Sequence, residues 1–376
     1  MEFIAENIDE DADRIKCRKE RMEKMRLEKR RQMKRRKAIK KIIPLAAFGV
    51  LVIGISLAMV NKSGEKKEEV VQREVSAVEE TGQTETPGET KSFQTAKNEK
   101  KEPAVYSFEP TVETVSIYNE EIISENAILV DESTGKIVAS KKAKERISPA
   151  SMTKVLTILV AAENLTKEQL DDTFVITREI TDYGYVNDLS AVGFLDGEKV
   201  TVRDLFYGTI LPSGADAALG LATYVAGSQE TFVKMMNEKL KELGLADTSH
   251  YTNCVGLYDK EHYSTVYDMA IIMKAAVENE FCKAVLSEHN YTTAATAEHP
   301  EGINISNWFL RRIEDKDTGG EVLCAKTGYV MQSKNCAVSY GTFANGNPYI
   351  CVTAGSSSSW RCIYDHVEIY NRYVSA

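Results

Sequence analysis

The sequence predicts a mixed α/β (α+β) domain, in which a mainly antiparallel sheet is flanked by helices, preceded by one transmembrane helix and a disordered tether. Strand-like runs stand at both ends of residues 116–376 with helical patterns between them, so one sheet is expected to combine both ends. Nearer the N-terminus, 19 uncharged residues follow a basic block and precede a long polar stretch. These observations together lead to this fold class.

The charge of the chain is unevenly distributed along its 376 residues, which carry a net charge of −9. Residues 14–41 contain 16 Lys and Arg against three Glu, so the rest of the chain is strongly acidic. Nucleic acid binding needs a concentrated cationic face. The acidic main body therefore argues against nucleic acid as a partner.

The uncharged run begins at Ile42 and ends at Val60. As a helix it spans about 28 Å, close to the roughly 30 Å hydrocarbon core of a bilayer. Because the basic tail, residues 1–41, precedes it, the positive-inside rule places that tail in the cytoplasm. We therefore expect a single-pass cell-membrane protein whose folded domain lies outside. The alternative is a cleaved signal peptide, for which both the leader and the apolar run are long.

Residues 61–115 are predicted to form a disordered linker. Glu, Lys, Thr, Gln and Ser dominate this stretch, which cannot bury enough apolar area to offset its ordering entropy. The folded domain is then expected over residues 116–376. Its cysteines fit either disulfides or buried thiols, since their scattered spacing resembles no small disulfide scaffold; they are Cys254, Cys282, Cys324, Cys336, Cys351 and Cys362.

Hydrophobic periodicity predicts the elements of this domain in order. A hairpin is expected at residues 127–130 and 136–140 around Gly135, followed by a buried helix at 151–163 that is apolar on every side. The remaining elements are amphipathic helices at 202–211, 215–226, 229–243 and 265–277, strands at 322–329, 337–343 and 349–354, and a last helix at 361–374.

The pattern S-x-x-K occurs three times, but only one copy stands where it could support chemistry. Ser63 lies in the linker and Ser133 in the hairpin turn, whereas Ser151 opens the buried helix. The spacing of three puts Lys154 on the same helix face as Ser151. A partly desolvated lysine can accept the proton of a serine nucleophile, and the helix N-terminus favours anionic transition states. Taken alone, the pair equally fits a helix cap and a surface lysine.

Two further motifs favour the catalytic interpretation. Ser213 stands between two helices in Leu-Pro-Ser-Gly-Ala-Asp, and Lys326-Thr327-Gly328 lies inside a late strand. Within a strand, Lys326 and Gly328 face one way and Thr327 the other. Glycine at that place leaves room for a substrate backbone to approach.

The three motifs, in this order, are the signature of penicillin-binding proteins and class A β-lactamases. From about residue 126 to the C-terminus, the chain resembles the low-molecular-weight penicillin-binding proteins, which are serine-type D-alanyl-D-alanine carboxypeptidases. The resemblance rests on LVDESTGKIVAS, SPASMTK, LPSGADAA, NCVGLYDKEHYSTVYD and AKTGYV. It implies a β-lactamase/transpeptidase-like fold and a penicillin-binding catalytic domain over residues 116–376.

The resemblance also implies the roles of the site residues. Ser151 would attack the carbonyl between the two D-alanines of a peptidoglycan pentapeptide, Lys154 would take its proton, and Ser213 would relay a proton to the leaving D-alanine.

Lys326 and Thr327 would hold the terminal carboxylate of the substrate. The backbone N–H groups of Ser151 and Tyr329 would form an oxyanion hole. Gly328, between Thr327 and Tyr329 on the same strand, would also belong to the substrate-binding segment. β-Lactams would acylate the same serine, and no metal or cofactor is required.

One departure from the family pattern concerns the second motif, which usually ends in Asn where this chain has Ala215. Because Ser213 is retained, we expect altered specificity or rate, with a modest gain for Ala215→Asn. Asp216 follows but does not occupy the Asn position.

Three other functions remain open from the sequence. A β-lactamase needs a carboxylate for deacylation, and none of Glu179, Asp182, Asp188 and Asp196 is singled out by a motif. Ala215 also fits a catalytically weak penicillin-binding wall module. A metallopeptidase is disfavoured because the histidines form no close ligand pair, and His262 is expected to be a structural hydrogen-bonding residue; they are His250, His262, His289, His299 and His366.

Overall fold

The computed structural model describes residues 106–118 and 120–374. The strands are β1 (Glu109–Ser116), β2 (Asn126–Asp131), β3 (Lys136–Lys141), β4 (Thr173–Val175), β5 (Lys199–Thr201), β6 (Asn290–Thr292), β7 (Asn304–Ser306), β8 (Gly320–Val330), β9 (Lys334–Phe343) and β10 (Pro348–Ser356). The helices are α1 (Thr153–Glu163), α2 (Arg178–Val186), α3 (Val202–Ile210), α4 (Ala215–Ala226), α5 (Gln229–Glu242), α6 (Val266–Glu278), α7 (Glu280–Ser287), α8 (Leu310–Ile313) and α9 (Ser359–Tyr373). A 3-10 turn, Ala150–Met152, leads into α1, and another, Glu168–Asp171, precedes β4.

A six-stranded sheet in the order β1-β3-β2-β10-β9-β8 organises the domain. Its neighbouring strands are antiparallel except β1 and β3, which run parallel. At the centre of the sheet β2 pairs with β10, with Asn126 opposite Ala354. The mainly antiparallel sheet predicted from both ends of the domain is therefore confirmed, and β8 forms one of its edges.

Each face of this sheet is covered by its own hydrophobic core. Alternate residues of β2 point to opposite faces, so Ile128 belongs to the core under α1, α3, α4 and α6, and Leu129 to the core under α8 and α9. Residues 153–161 of α1 are all buried, as expected for a central helix. The two cores hold the sheet between helical layers, an arrangement typical of α+β domains.

Side-chain caps determine where several helices begin. Thr201 and Asp204 form a reciprocal capping box at the start of α3. The hydroxyl groups of Ser228, Thr265 and Ser358 accept a backbone hydrogen bond from the first turn of α5, α6 and α9. These short polar residues stand immediately before amphipathic runs, which is why the sequence predicts the helix starts well.

The predicted elements are found within a few residues of their expected bounds, but the structure also differs from the prediction in several places. The strand β1 covers Glu109–Ser116, which the sequence analysis assigned to the linker, so the predicted start of the folded domain at residue 116 is too late. Its burial pattern is largely exposed, and polar residues that pair along an edge give no hydrophobic alternation. The helices α2, α7 and α8 and the short strands β4, β5, β6 and β7 were not predicted, and the single helix 151–163 is divided into a 3-10 turn and α1.

The predicted single-pass cell-membrane location is contradicted by the described residues. Among residues 106–118 and 120–374, no helix is both long and apolar enough to cross a bilayer. The segment from Ile42 to Val60, on which the prediction depended, lies outside the described residues, as do the basic tail and most of the linker.

The sequence left open whether the cysteines of the domain form disulfides or remain buried thiols. All six that the structure describes are free and buried. They are therefore buried thiols, not disulfides, in this structure.

Candidate active site

The pair Ser151 and Lys154 lies where the 3-10 turn runs into α1. The Lys154 amine donates a hydrogen bond to Ser151 Oγ at 3.0 Å. Ala150 has a φ of +47°, in the left-handed region, so the backbone turns sharply just before the serine. Lys154 is only 2% exposed, whereas Ser151 is partly exposed. An accessible hydroxyl thus contacts a buried amine.

The buried environment of Lys154 changes its protonation. Burial lowers the pKa of its amine to about 8, although Cys254 and Asp216 act in the opposite direction. The amine also donates to the carbonyl oxygen of Val255 at 2.6 Å, and no carboxylate of the described residues is hydrogen-bonded to it. A lysine with this pKa is partly neutral near pH 7 and can accept a proton.

The Val255 carbonyl is held in place by Asn253, to which the sequence analysis gave no catalytic role. The amide oxygen of Asn253 accepts the backbone N–H groups of Val255 at 3.2 Å, Gly256 at 2.8 Å and Leu257 at 2.9 Å. Its amide nitrogen donates to the carbonyl oxygen of Leu257 at 2.9 Å. One side chain therefore fixes the loop that orients Lys154. An Asn followed by a Gly three residues later is the only local signal for this turn.

Two glycines bring backbone segments against the serine. Gly256 has a φ of +79°, and a Cβ there would lie 1.9 Å from the carbonyl oxygen of Ala150. A Cβ on Gly328 would lie 2.9 Å from the backbone nitrogen of Ser151 and 2.8 Å from Cys336 Sγ. Only glycine permits this approach. From the sequence, the space at Gly328 was expected to admit a substrate backbone, whereas the backbone of Ser151 occupies it.

The second serine–lysine pair joins residues that are 113 positions apart in the chain. Lys326, on the edge strand β8, donates to Ser213 Oγ at 2.9 Å and to the carbonyl oxygen of Thr327 at 2.8 Å. Ser213 lies two residues before α4 and has a φ of +61°, in the left-handed region that non-glycine residues rarely adopt. Lys326, like Lys154, is 2% exposed.

The two lysines influence each other. Burial is the main cause that lowers the pKa of Lys326 well below its usual value, and the positive charge of Lys154 lowers it further. Gly328, two residues after Lys326 on β8, lies against the backbone nitrogen of Ser151. This contact brings the two pairs into one site, where two buried amines would favour an anion.

The edge of β8 leaves this site open on one side. Thr327 is half-buried and the side chain of Tyr329 is 54% exposed, while Lys326 and Gly328 on the same strand are buried. Because β8 has a sheet neighbour on one side only, an extended peptide can lie along its other side.

Asp216 and Ala215 begin α4 beside the site. The Asp216 carboxylate is buried and accepts backbone N–H groups of the loop at residues 192–194, at 2.9 Å from Val192. Burial raises the pKa of Asp216, and these hydrogen bonds oppose the increase. Ala215 is fully buried and its N–H donates to the carbonyl oxygen of Ser190 at 2.7 Å. The modest gain expected for Ala215→Asn therefore concerns a fully buried position, where a larger side chain has to be accommodated among packed neighbours.

His262 is buried and connects α1 to the loop that follows α5. The N–H of Thr252 donates to its Nδ1 at 3.1 Å, so the ring proton is on Nε2, which donates to Thr153 Oγ1 at 2.8 Å. Burial lowers the pKa of the imidazole to about 3, and the ring stacks on Tyr251 at 4.8 Å. The histidine is thus a neutral structural residue beside Lys154, as the sequence analysis expected.

The other candidate residues lie elsewhere. Ser133 Oγ bonds the Asp131 carboxylate in the exposed hairpin turn, with no contact to Lys136. The Ser63 copy lies outside the described residues. Of the four carboxylates considered for deacylation, Glu179, Asp182 and Asp196 are exposed, and Asp196 pairs with Arg178 at 3.4 Å. In the described part of the chain, none of the four is hydrogen-bonded to Ser151 or Lys154.

Several known proteins are similar to this chain in sequence. The family model for peptidase S11, described as D-alanyl-D-alanine carboxypeptidase, matches residues 112–358. Similar curated proteins include D-alanyl-D-alanine carboxypeptidase DacF of Bacillus subtilis, 32% identical over 62% of this chain and 58% of that protein. Another is the D-alanyl-D-alanine carboxypeptidase of Streptomyces sp. strain K15, 30% identical over 68% of this chain and 85% of that protein.

Solved structures are similar as well. The crystal structure of the Streptomyces K15 DD-transpeptidase superposes with a TM-score of 0.60 at 27% identity, covering 68% of this chain and 98% of that one. The chain covers 58% of DacF and 44% of the Escherichia coli DacC, about half the length of these curated relatives. The chain belongs to the D-alanyl-D-alanine carboxypeptidase family, peptidase S11.

Proposed function

We propose that this protein is a serine DD-carboxypeptidase, which removes the terminal D-alanine from peptidoglycan stem peptides through an acyl-enzyme on Ser151. The observation that carries the proposal is the pairing of Ser151 with Lys154 at 3.0 Å, next to Ser213 with Lys326 at 2.9 Å. Family membership supports the same reaction class.

In the proposed acylation, neutral Lys154 takes the Ser151 hydroxyl proton as Oγ bonds to the carbonyl carbon between the two D-alanines. The C–N bond then breaks, and Ser213 relays a proton to the amine of the leaving D-alanine. The pKa of about 8 makes Lys154 a suitable base near neutral pH. In the second step water attacks the ester, and Ser151 is released with its proton restored.

The carboxylate of the terminal D-alanine would bind at Lys326 and Thr327 on the open edge of β8. An incoming carboxylate favours the charged form of Lys326, since an opposite charge raises the pKa of an amine. That new positive charge in turn favours the neutral form of nearby Lys154. Substrate binding would thereby prepare the base.

The proposed oxyanion hole consists of the backbone N–H groups of Ser151 and Tyr329. The close approach of Gly328 to the Ser151 nitrogen supports it, because this contact puts the two N–H groups on neighbouring segments. β-Lactams, whose ring amide resembles the D-Ala-D-Ala bond, would acylate Ser151 and be released slowly.

The test is the intact mass of the protein after incubation with penicillin, with D-alanine release from a D-Ala-D-Ala peptide measured in parallel. We expect one adduct, lost in Ser151→Ala and retained in Ser133→Ala, a matched serine from the exposed S-x-x-K copy. Rapid penicillin turnover without D-alanine release would identify a β-lactamase instead. Absence of any adduct in the unchanged protein would contradict the proposal and favour a weak wall-binding module.

A further inference from the structure

The two tryptophans of the chain, Trp308 and Trp360, lie on one exposed surface. The Arg312 guanidinium stands 5.2 Å from the Trp308 ring centre and 4.9 Å from that of Trp360, so one cation joins both indoles. Tyr364 continues the row at 6.5 Å from Trp360. We call Trp308, Arg312, Trp360 and Tyr364 the aromatic platform.

The platform is exposed although its supports are rigid. Trp308 is 59% exposed, yet its neighbours Asn307 and Phe309 are buried, and Asn307 donates to the carbonyl oxygen of Ala325 at 3.1 Å. Trp360 is 48% exposed in the first turn of α9, which Ser358 caps at 3.1 Å. Large aromatic side chains held outward in this way are typical of binding surfaces.

The platform lies at the end of the sheet that carries the active site. The Asn307 bond attaches Trp308 to Ala325, the residue before Lys326. On the other side, β10 ends at Ser356 opposite Asn335, and Asn335 pairs with Tyr329 on β8. Trp360 therefore follows closely after the strand end that neighbours the Lys326–Tyr329 segment. The opposite face of the sheet carries α1 and Ser151, so the platform is separate from the catalytic residues and is linked to the site through β8.

We propose that the aromatic platform binds the glycan strand of peptidoglycan while the stem peptide occupies the β8 edge, an inference that rests on the proposed function. An extended pentapeptide spans roughly 17 Å, so the sugar to which it is attached cannot be far from the active site. Pyranose rings present a face of C–H groups that packs on the electron-rich face of an indole.

The surroundings of the platform favour a sugar polymer over a lipid surface. Three exposed serines, Ser357 to Ser359, immediately precede Trp360 and provide hydroxyl groups at its rim. Arg312 adds donors that can reach sugar oxygens or the carbonyl oxygen of the lactyl group. Membrane-surface sites combine aromatics with clusters of Lys and Arg. Arg361 beside Trp360 is engaged by Asp365 and the carbonyl oxygen of Glu121, and Arg311 by Ser306, so Arg312 is the cation that the platform itself presents. Hydroxyl groups beside stacking rings then suit a polyhydroxylated ligand.

The first experiment uses the fluorescence of the two tryptophans, which report on this surface alone because the chain has no others. The full-length protein is titrated with glycan strands from which an amidase has removed the stem peptides. We expect a change in emission and protection from acrylamide quenching. Unchanged emission and quenching, or a response to anionic phospholipid vesicles and none to glycan, would overturn the proposal.

The second experiment compares the Trp308→Ala, Trp360→Ala double variant with Tyr118→Ala, a 97% exposed aromatic after β1 at the opposite edge of the sheet. Because the double variant has no tryptophan, glycan binding of both variants is measured by isothermal titration calorimetry. We expect roughly tenfold weaker binding of peptide-free glycan for the double variant, from the loss of two stacking contacts. D-alanine release from intact sacculi should fall, while release from a soluble peptide and penicillin acylation stay unchanged. Equal glycan binding by both variants would overturn the inference.

Penicillin acylation also reports folding, so a misfolded double variant is recognised. In that case Arg312→Ala, which removes the cation between the indoles, replaces it with the same expected loss of glycan binding. Failure of the proposed function looks different: the unchanged protein would bind glycan but form no penicillin adduct, which supports the platform and contradicts the carboxypeptidase.

Discussion

The two serine–lysine pairs of the site have nearly the same geometry but opposite origins. Ser151 and Lys154 are one helical turn apart, at 3.0 Å between Oγ and Nζ. Ser213 and Lys326 meet at 2.9 Å only because β8 returns to α4 across 113 positions. Local helix geometry therefore forms the first pair, whereas the second depends on the whole tertiary structure.

The pairs also differ in the carbonyl oxygen to which each lysine amine donates its second hydrogen bond. Lys154 is bound to the Val255 carbonyl of a loop that Asn253 organises. Lys326 is bound to the carbonyl oxygen of its own neighbour Thr327, on the edge strand β8. Both amines are 2% exposed, so the pairs differ in position: Lys154 contacts the proposed nucleophile, and Lys326 lies beside the strand edge where the substrate carboxylate is proposed to bind. Substitution of the two lysines should therefore impair different steps: acylation for Lys154 and substrate binding for Lys326.

The largest effect is expected for Lys154→Ala, which removes the proposed base. Acylation of Ser151 by penicillin should slow by roughly 10²–10⁴-fold, the usual loss for a general base. The measurement is the rate of adduct formation by mass spectrometry, with Lys136→Ala as control because that lysine follows Ser133 at the same spacing in an exposed turn. Near-normal acylation in Lys154→Ala would show that another group is the general base for Ser151.

Lys326→Ala should affect substrate binding more than bond making. Loss of a charged hydrogen bond to the substrate carboxylate predicts a decrease of roughly tenfold to hundredfold in kcat/KM, mostly through KM. D-alanine release is measured as a function of peptide concentration. The control is Lys334→Ala on β9, whose amine is exposed and paired with Glu125. A pure kcat defect would show that both lysines serve proton transfer.

The pH dependence of acylation tests the protonation of Lys154 directly. The amine must be neutral to accept a proton, and its neutral fraction increases as the pH rises through about 8. Acylation by penicillin should therefore rise about tenfold between pH 7 and pH 9. The stability of the protein is followed at each pH as a control. A flat or falling profile over this interval would contradict a lysine base.

The smallest effect is expected for Ala215→Asn. From the sequence alone, a modest gain in turnover was expected, but the alanine is fully buried, so a larger amide side chain has to be accommodated among packed neighbours. Overpacking of this kind costs about 1–3 kcal/mol of stability, and we expect a lower unfolding midpoint with no gain in D-alanine release. Thermal unfolding and turnover are measured together. Increased turnover would restore the interpretation of Ala215 as a missing substrate contact.

Much of the fold could be predicted because its helices and central strands bury one continuous face. The helix α4 has its predicted bounds, since apolar residues and a following glycine mark both its period and its end. The strand β1 was missed because an exposed polar edge has no alternation, and the 3-10 turn at Ala150–Met152 because a positive φ at alanine has no local signature.

The contacts of the active site also differ in whether the sequence alone predicts them. Ser151 and Lys154 are adjacent on a helix, so their contact follows from spacing alone. The contact of Lys326 with Ser213 could be expected only from resemblance, because no periodicity relates a late strand to an earlier turn. The role of Asn253 was not anticipated, since its hydrogen bonds to Val255, Gly256 and Leu257 are made by a loop whose conformation the sequence does not specify.

The pairing of β2 with β10 has a consequence for the order in which this protein matures. A chain is synthesised from its N-terminus, so α1 and its serine leave the ribosome long before β8 and β10 are made. The centre of the sheet closes only when β10 arrives, and contacts so distant in sequence form slowly. We expect the nascent domain to carry Ser151 and Lys154 without Lys326 for much of its synthesis. Penicillin reactivity should thus appear late, as a property of finished molecules.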